Sequence, residues 1–289
     1  MNRKMDEFQK LIEKKKKEMK MKSPGSTTEK DIDKIRKYYS DKEAINRIYS
    51  QLVKKSNIPE KFKDVTFSSF NLDETNKKNV KKVKAIMNYG RNIIKAMPQS
   101  LYMFSEYNGC GKTHLAVAIL KKAAHEYASL IFEKDPLKYR RRGINLNYIQ
   151  ESPVFFMSEK NYLYKKKLAF SSNDQAIHEE VEYIEKMVIK SKLLVIDDFL
   201  KERNTDFTFN ELTAWICLRY EDNKPVIFTS NMDFMDLAKE NKENPFYKTP
   251  HFKNATYLAS RVEEMTKGYK FYFYSSYEDD YRHKKFIHS

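Results

Sequence analysis

A lysine and a threonine that directly follow two spaced glycines can hold the phosphates of a nucleotide. In this chain Gly109, Gly111, Lys112 and Thr113 come after a short apolar run and open a helical pattern. Glycines let backbone N–H groups curl around phosphate oxygens, and the N-terminus of the helix adds its dipole. The lysine would reach the β- and γ-phosphates, and the threonine hydroxyl would bind Mg²⁺. The pattern predicts a loop that binds ATP through Asn108, Gly109, Cys110, Gly111, Lys112, Thr113 and His114.

The loop departs from the common G-x-x-x-x-G-K-[ST] pattern at its first position, where Glu106 replaces a glycine. A carboxylate at the start of the loop could repel a bound triphosphate, and the alternative is that its side chain points outward to solvent. The sequence therefore predicts that Glu106→Gly tightens ATP binding modestly. A glycine-bearing turn without a ligand is the alternative, and the apolar run before the loop and the helix after it argue against that alternative.

Two adjacent carboxylates end the apolar run "LLVID". Consecutive side chains of a strand point to opposite sides, so Asp197 can join the ligands of Mg²⁺ while Asp198 polarises an attacking water. An acidic strand end that only caps a turn is the alternative, which the phosphate loop upstream disfavours. Asn231 ends the run "PVIFTSN", where its amide could orient the lytic water, contact the γ-phosphate or cap the next helix.

Short apolar runs alternate with helical patterns from residue 101 onward. The runs lie at 101–105, 153–157, 193–197, 225–230 and 269–274. The helical patterns lie at 112–127, 158–168, 176–190, 208–221, 233–240 and 253–266. Strands that alternate with helices form a parallel sheet covered by helices on both faces. Strands covered on both faces are continuously apolar, as these runs are. The fold class is therefore α/β.

The chain before the first apolar run is different in character. Residues 1–22 combine basic and apolar side chains at helical spacing, which predicts an amphipathic helix. Further helical patterns cover 28–38 and 41–55. We place a domain boundary there, which predicts a helical N-terminal partner-binding segment at 1–55 and a nucleotide-binding domain at 56–289.

Three further stretches connect these elements. Residues 56–72 are expected to form an extended strap with short strand-like pieces. A helix is expected at 74–96, ending before Pro98 because proline disfavours a helical residue before it. Residues 129–152 are basic and weakly patterned, which predicts an insertion.

The 289 residues carry a formal net charge of +15, which favours polyanionic partners, although a lysine-rich coding bias would produce the same charge. No apolar run is long enough for a membrane span, so no membrane association is expected.

Cys110 and Cys217 have no neighbour at metal-ligand spacing. We expect both to be free thiols in a reducing cytoplasm.

Several motifs occur together in a particular order. "NIPEKFKDVTFSSF" is followed by "GCGKTHLA", "LLVIDDF", "LRYEDNKPVIFTSN" and "ASRVEEM". This combination resembles the AAA+ ATPases of the DnaC/DnaI helicase-loader and IstB group, over about residues 56–282. The resemblance implies an AAA+ P-loop NTPase fold with a five-stranded parallel sheet, no C-terminal lid and a phage or mobile-element origin. It implies that the loop is Walker A, that the acidic pair is Walker B and that the sensor 1 residue is Asn231.

The resemblance also assigns Arg261, in "ASRV", the role of an arginine finger that reaches the ATP of a neighbouring subunit. The alternative is a surface arginine paired with Glu264, three residues later on the same helix. Arg282 is the candidate for a sensor 2 residue.

Proteins of this group carry a helical element that touches single-stranded DNA between the second and third strands. Here that region mixes basic and aromatic residues, which could contact phosphates and stack on bases. The candidates are Lys165, Lys166, Lys167 and Tyr164. The alternative is an ordinary amphipathic helix with its aromatics in the core. A second basic candidate is "YRRRG" at 139–143.

The resemblance implies a slow, partner-stimulated ATPase that binds Mg²⁺-ATP and assembles into a nucleotide-dependent homo-oligomer. Its partners would be a hexameric replicative DNA helicase, met by the N-terminal helix, and single-stranded DNA. A solvated tail or a membrane-surface helix are alternatives for that N-terminal stretch. Two other functions remain open: an IstB-like transposition helper, and a nucleotide-gated scaffold that hardly hydrolyses ATP.

Overall fold

One parallel sheet lies at the centre of the structure. The computed structural model describes residues 29–96, 99–141, 143–200, 206–242, 244, 246–249 and 251–276, so residues 1–28 and Arg282 lie outside it. The strands are β1 (Leu101–Phe104), β2 (Val154–Ser158), β3 (Leu193–Asp197), β4 (Val226–Ser230) and β5 (Lys270–Tyr272). They pair in parallel in the order β2-β3-β4-β1-β5. The predicted α/β class with a five-stranded parallel sheet flanked by helices is confirmed.

Helices connect the strands and precede the sheet. Those before β1 are α1 (Glu29–Lys54), α2 (Val80–Arg91) and α3 (Ile93–Ala96). Those between β1 and β3 are α4 (Lys112–Lys134), α5 (Pro136–Arg140), α6 (Glu159–Ser171) and α7 (Gln175–Lys190). After β3 come α8 (Asp206–Glu221), a 3₁₀ turn (Phe234–Ala238) and α9 (Phe252–Met265).

Side chains alternate between two hydrophobic clusters along each central strand. In β1, Tyr102 packs on one face with α6, α7, α8 and α9, while Leu101 and Met103 pack on the other face with α2 and α4. In β4, Phe228 and Ile227 divide in the same way. Helices therefore shield both faces of the sheet from water, which explains why the strands are apolar without interruption.

The strand order brings the chemically active residues together. Strand β1 lies between β4 and β5. The chain after β1 crosses β4 and β3 to reach β2 at one edge of the sheet, and the chain after β4 crosses β1 to reach β5 at the other edge. Such a reversal opens a crevice at the carboxyl ends of the strands. Phe104 at the end of β1 is in register with Ser230 of β4, and Asp197 of β3 is in register with Ser158 of β2.

Helix α1 packs against α4 and is a single helix rather than the two that the sequence predicts. Ala44, Ile48 and Leu52 are fully buried in a third cluster with residues of α4 and α5. The guanidinium of Arg140 in α5 holds the carboxylate of Asp41 in α1 with bonds of 2.5 and 3.2 Å. The predicted insertion at 129–152 therefore begins as the last turns of α4 and continues as α5 beneath α1.

The strap between α1 and α2 contains turns and one 3₁₀ turn (Glu60–Phe62) instead of the expected strand-like pieces. Its first residues cover the open edge of β2. The backbone N–H of Phe156 donates to the carbonyl of Ser56 (2.8 Å), and the Asn57 amide donates to the carbonyl of Phe156 (2.9 Å). An exposed strand edge invites unwanted pairing, and these bonds occupy part of it.

Candidate nucleotide-binding site

Both glycines of the predicted phosphate loop adopt a left-handed backbone. Their φ angles are 85° at Gly109 and 89° at Gly111, a conformation that side chains disfavour. A Cβ atom at Gly111 would also lie 2.6 Å from the ring of Phe70 in the strap. The loop leads from β1 directly into α4, so its N–H groups lie at the start of a 23-residue helix.

The lysine of the loop is held beneath it. Lys112 is 7% exposed, and its ammonium donates to the hydroxyl of Ser105 at 2.6 Å. The Cys110 thiol donates to the same hydroxyl at 3.2 Å. Ser105 thus restrains the ammonium at the end of β1, close to the loop whose N–H groups would surround a phosphate.

Asp197 connects the loop to β3 and β4. One carboxylate oxygen accepts a bond from the Thr113 hydroxyl at 2.7 Å and another from the Thr229 hydroxyl at 2.6 Å. Burial raises the pKa of the Asp197 carboxyl, while the two hydroxyl donors and the charge of Lys61 oppose that rise. Sequence reasoning did not single out Thr229; its place two residues before Asn231 at the end of an apolar run was the available signal.

The donor set around Asp197 fits Mg²⁺. This ion is usually held by one or two carboxylates with substrate phosphates and water, rather than by a complete cage of protein groups. Within the described ranges, no group of three or more His, Cys, Asp or Glu side chains could hold a metal. A hydroxyl and a carboxylate at Thr113 and Asp197, beside a phosphate loop, match the hard oxygen ligands that Mg²⁺ prefers.

The backbone after Asp197 is unusual. Asp198 and Leu200 have φ angles of 59° and 62° although neither is glycine. Thr229 holds this turn, since its hydroxyl accepts from the Asp198 N–H (3.1 Å) and its carbonyl from the Phe199 N–H (2.8 Å). The Ser230 hydroxyl donates to the carbonyl of Phe199 at 2.6 Å. Non-glycine residues in this region persist where the surroundings hold them, often at functional sites.

Asn231 lies behind the start of the loop. Its amide nitrogen donates to the carbonyls of Ser105 (2.8 Å) and Glu106 (3.3 Å). Its amide oxygen is buried and has no hydrogen-bond partner among the described residues. Because this oxygen is closed off from solvent in the structure and Asn231 does not line the cavity beside the loop, a contact with the lytic water or the γ-phosphate stays a prediction.

A cavity of about 590 Å³ joins the loop to residues that sequence reasoning missed. The cavity is lined by residues 108–114, Asp197 and Asp198, which the sequence predicts to belong to one site. The strap and the chain after β5 line the rest, through Lys61, Phe62, Ser69, Phe70, Asn71, Glu74, Thr75, Asn76, Asn79 and Tyr274. The mixed aromatic and polar stretch "SSFNLDETN" in the strap was the signal for this wall.

His114 holds the strap against the loop. Its Nε2 atom lies 3.0 Å from the carbonyl of Thr66 and 3.2 Å from the hydroxyl of Ser69. Its ring meets that of Phe70 edge-on, with centroids 5.2 Å apart. Burial lowers the pKa of the His114 imidazole, against the opposing effect of the Thr66 carbonyl.

Glu106 is exposed and is not among the residues that line the cavity. Repulsion between exposed charges is screened by water and salt. The structure therefore argues against the expected gain in ATP affinity for Glu106→Gly, because the carboxylate lies outside the space that a triphosphate would fill.

Arg261 lies on α9, outside this cavity. Its guanidinium is 4.6 Å and 4.8 Å from the ring centroids of Tyr220 and Tyr257, and it pairs with Glu264 at 3.2 Å. The pair with Glu264 is the alternative that the sequence left open. The finger role would require a second copy of the chain, and it stays a prediction.

The predicted DNA-contacting lysines differ from one another in the structure. Lys166 bonds to Glu185 and Glu211 and its side chain is only 15% exposed, so its charge is already matched. Lys165 pairs with Glu180 nearer the solvent. Lys167 is exposed, as is Tyr164 at 63%. In the second basic candidate, at 139–143, Arg140 is bound to Asp41.

The strand order, the loop between β1 and α4, and the acidic end of β3 match the predicted parallel sheet with a strand–loop–helix phosphate site, while membership of the AAA+ group stays a prediction. No protein-family model matches the chain, and no curated protein matches it.

Among the described residues, no helix has the length and apolar character needed to cross a membrane.

The solved structures to which the chain is similar include the DnaC helicase loader, at 21% identity and a TM-score of 0.46, covering 75% of this chain and 100% of that one. DnaI is 17% identical with a TM-score of 0.47, over 75% and 94% of the two chains. Domain III of the Thermotoga maritima replication initiation protein DnaA is 17% identical with a TM-score of 0.45, over 75% and 70%. At this level of identity a similar fold does not imply a shared function.

Proposed function

We propose that this protein is a Mg²⁺-dependent ATPase. One observation carries the proposal: the Thr113 hydroxyl lies 2.7 Å from Asp197, and both line one cavity with the glycine loop and Asp198. A phosphate loop, a metal-binding hydroxyl and a carboxylate pair are the groups that hydrolysis of a nucleoside triphosphate requires.

Each residue has a task that follows from its place. The loop N–H groups and Lys112 bind the phosphates, and Thr113 with Asp197 would hold Mg²⁺, which neutralises charge on the phosphate oxygens when bound. Asp198 orients the attacking water and accepts its proton. Asn231 offers its amide oxygen to that water, or contacts the terminal phosphate from the side of β4.

Paired variants test this assignment. Lys112→Ala should abolish binding of a fluorescent ATP analogue, because the phosphates lose their cation. Asp198→Asn should bind the analogue like the unmodified protein and lose phosphate release by about 100-fold, the order expected for loss of a general base. Asp222→Asn, at an exposed residue paired with Lys224, is the matched control and should behave normally. Normal turnover in Asp198→Asn would refute the assignment.

We further propose that the ATPase loads a hexameric replicative helicase onto single-stranded DNA. The order of the motifs supports this role, together with a net charge of +15 and an outer face of α6 that exposes Tyr164, Lys167 and Phe170. Aromatic rings interleaved with lysine can stack on unpaired bases while the ammonium meets phosphates.

Binding experiments separate the loader from its alternatives. A pull-down with candidate hexameric helicases, with and without ATP, should capture the helicase; no capture in either state contradicts the loader role. Tighter binding to duplex than to single-stranded DNA, together with stimulation of a transposase, would favour the IstB-like helper. ATP binding without measurable turnover in the presence of DNA and helicase would favour the scaffold.

The contact with DNA has its own test. Tyr164→Ala and Lys167→Ala should each weaken binding of oligothymidylate, by about 1–3 kcal/mol for the stacking residue. Lys166→Ala should leave DNA affinity nearly unchanged, because its ammonium is committed to Glu185 and Glu211. Equal losses at Lys166 and Lys167 would contradict this assignment of the surface.

Self-assembly around the nucleotide is also proposed. An arginine finger acts on the ATP of a neighbouring copy, so Arg261 would need an oligomer in which α9 faces the adjacent cavity. Sedimentation with a non-hydrolysable ATP analogue should show assembly, and Arg261→Ala should lower turnover without weakening nucleotide binding. Assembly-independent turnover that Arg261→Ala leaves intact would exclude the finger.

A further inference from the structure

A buried glutamate touches the turn that carries Asp198. Glu159 is the first residue of α6 and is 0% exposed. Its Oε2 atom accepts a bond from the backbone N–H of Leu200 at 2.7 Å, across 41 residues of sequence. Its place in the first turn of a helix helps a carboxylate to tolerate burial, because the helix dipole is positive there.

The turn from Asp198 to Leu200 needs external support. Both end residues have left-handed backbones that ordinary side chains rarely adopt. Thr229 and Ser230 of β4 hold its first two residues through three bonds. Within the described chain, the bond that holds the third residue comes from Glu159, on the opposite side of β3.

We propose that Glu159 is a positioning residue for the ATPase reaction: it fixes the Asp198 turn from the side of α6, so that the Asp198 carboxylate meets the attacking water in the productive orientation. This inference rests on the proposed function. Glu159 is not among the residues that line the cavity in which a nucleotide would bind. It acts through the Leu200 N–H, and its loss should therefore change the rate of the chemical step and leave nucleotide affinity intact.

Three substitutions distinguish geometry from charge. Glu159→Gln keeps an acceptor oxygen at the same reach and should retain most of the turnover. Glu159→Asp keeps the charge and withdraws the acceptor by one methylene. Glu159→Ala removes the acceptor. The last two should lose about 10- to 100-fold in kcat, the range expected when a catalytic group is displaced by about 1 Å.

Nucleotide affinity and stability are measured on the same proteins. The Kd for a fluorescent ATP analogue should stay within about twofold of that of the unmodified protein, because the substitutions leave the groups that would bind the ground-state nucleotide unchanged. Tyr162→Phe is the matched control on α6, since it removes hydroxyl bonds to Glu185 and Glu211 but no contact with the turn. It should lower thermal stability and leave kcat unchanged.

Hydrogen exchange of the Leu200 amide in the nucleotide-free protein tests the contact independently of hydrolysis. Exchange should accelerate in Glu159→Ala and Glu159→Asp and stay slow in Glu159→Gln. Normal kcat in Glu159→Ala overturns the positioning role while the ATPase assignment stands. Absence of turnover in the unmodified protein overturns the ATPase assignment itself, and the positioning role with it.

Discussion

The residue type at position 111 is decided by one backbone angle and one neighbour. Gly111 has a φ of 89°, and a Cβ atom there would lie 2.6 Å from the Phe70 ring. Gly143 has a comparable φ of 78°, but a Cβ atom there would meet nothing within 4 Å. A side chain at position 111 would therefore meet both backbone strain and a steric conflict, whereas a side chain at position 143 would meet backbone strain alone.

We predict that Gly111→Ala loses ATP binding, because Phe70 and the loop must move apart. Gly143→Ala should lose about 1–2 kcal/mol of stability from the backbone strain and should bind ATP normally. Isothermal titration with ATP and urea unfolding of both variants measure these effects. Intact ATP binding in Gly111→Ala would contradict the close packing of strap and loop.

Asp197 carries a stability cost that its proposed role as a Mg²⁺ ligand would explain. Burial raises the pKa of this carboxyl on folding, so its contribution to stability is greatest at low pH and is lost as pH rises through the raised pKa. At neutral pH the nucleotide-free folded protein therefore holds Asp197 as a charged carboxylate, although burial favours the protonated carboxylic acid.

We predict that Asp197→Asn stabilises the nucleotide-free protein at neutral pH, by about 1 kcal/mol or about 2 °C in Tm. The amide oxygen still accepts from the Thr113 and Thr229 hydroxyls. The same variant should lose Mg²⁺-dependent turnover. The gain in Tm should vanish at low pH, where the native carboxyl is protonated; a gain that is equal at both pH values would contradict this explanation.

At the scale of elements, the strap and α4 form one wall of the cavity. Phe70 lies over Gly111, and His114 holds the strap through the Thr66 carbonyl and the Ser69 hydroxyl. Because burial lowers the pKa of His114 on folding, the stabilising contribution is present above the ordinary imidazole pKa and is lost as pH falls through the lowered one.

We predict that the strap loosens in mildly acidic solution, as His114 gains a proton that its burial disfavours. The protection factors of the amides of residues 63–72, which remove the intrinsic pH dependence of exchange, should fall as pH is lowered through and below the ordinary histidine range. His114→Phe should remove most of this pH dependence. His125→Phe, at an exposed histidine on the same helix whose pKa is also lowered, is the control. A similar response in both variants would exclude His114 as the cause.

At the scale of the whole molecule, two distant parts of the described chain meet at the cavity. The side chain of Asn79 accepts from the Tyr274 N–H (2.8 Å) and donates to its carbonyl (2.6 Å), although 195 residues separate them. Asn79 is 2% exposed, and Tyr274 lines the cavity. This pair closes the candidate nucleotide site between the start of α2 and the chain that follows β5.

We predict that Asn79→Ala weakens ATP binding several-fold and destabilises the protein by about 1–3 kcal/mol, because two backbone groups of Tyr274 lose their partners. Asn88→Ala, on the exposed side of α2, should change neither quantity appreciably. Titration with ATP and urea unfolding give both numbers. Unchanged ATP affinity in Asn79→Ala would show that the chain after β5 has no part in the site.

Local patterns predicted much of this architecture. Each expected strand appears within a few residues of its predicted bounds, since apolar runs between polar turns mark buried strands without reference to their partners. The phosphate loop was predicted for the same reason, because its glycines, Lys112 and Thr113 act within a few residues of each other. Glu106, in contrast, was given weight that its exposed position does not support.

Long-range contacts set the rest. Which lysine of α6 remains exposed depends on the glutamates of α7 and α8, and the single helix α1 depends on its packing against α4. Arg219 is fully buried and donates to the carbonyls of Val188, Ser191 and Pro225, a role that no local pattern indicates.

The sequence alone determined the fold class and predicted the chemistry of the loop and the acidic pair, because residue type and short spacing encode both. Only the tertiary structure decided what surrounds the candidate site: the strap, the chain after β5, and the bonds from Thr229 and Glu159 to the Asp198–Leu200 turn. The physical reason is that such contacts join residues tens to hundreds of positions apart, and their partners become neighbours only when the sheet order is set.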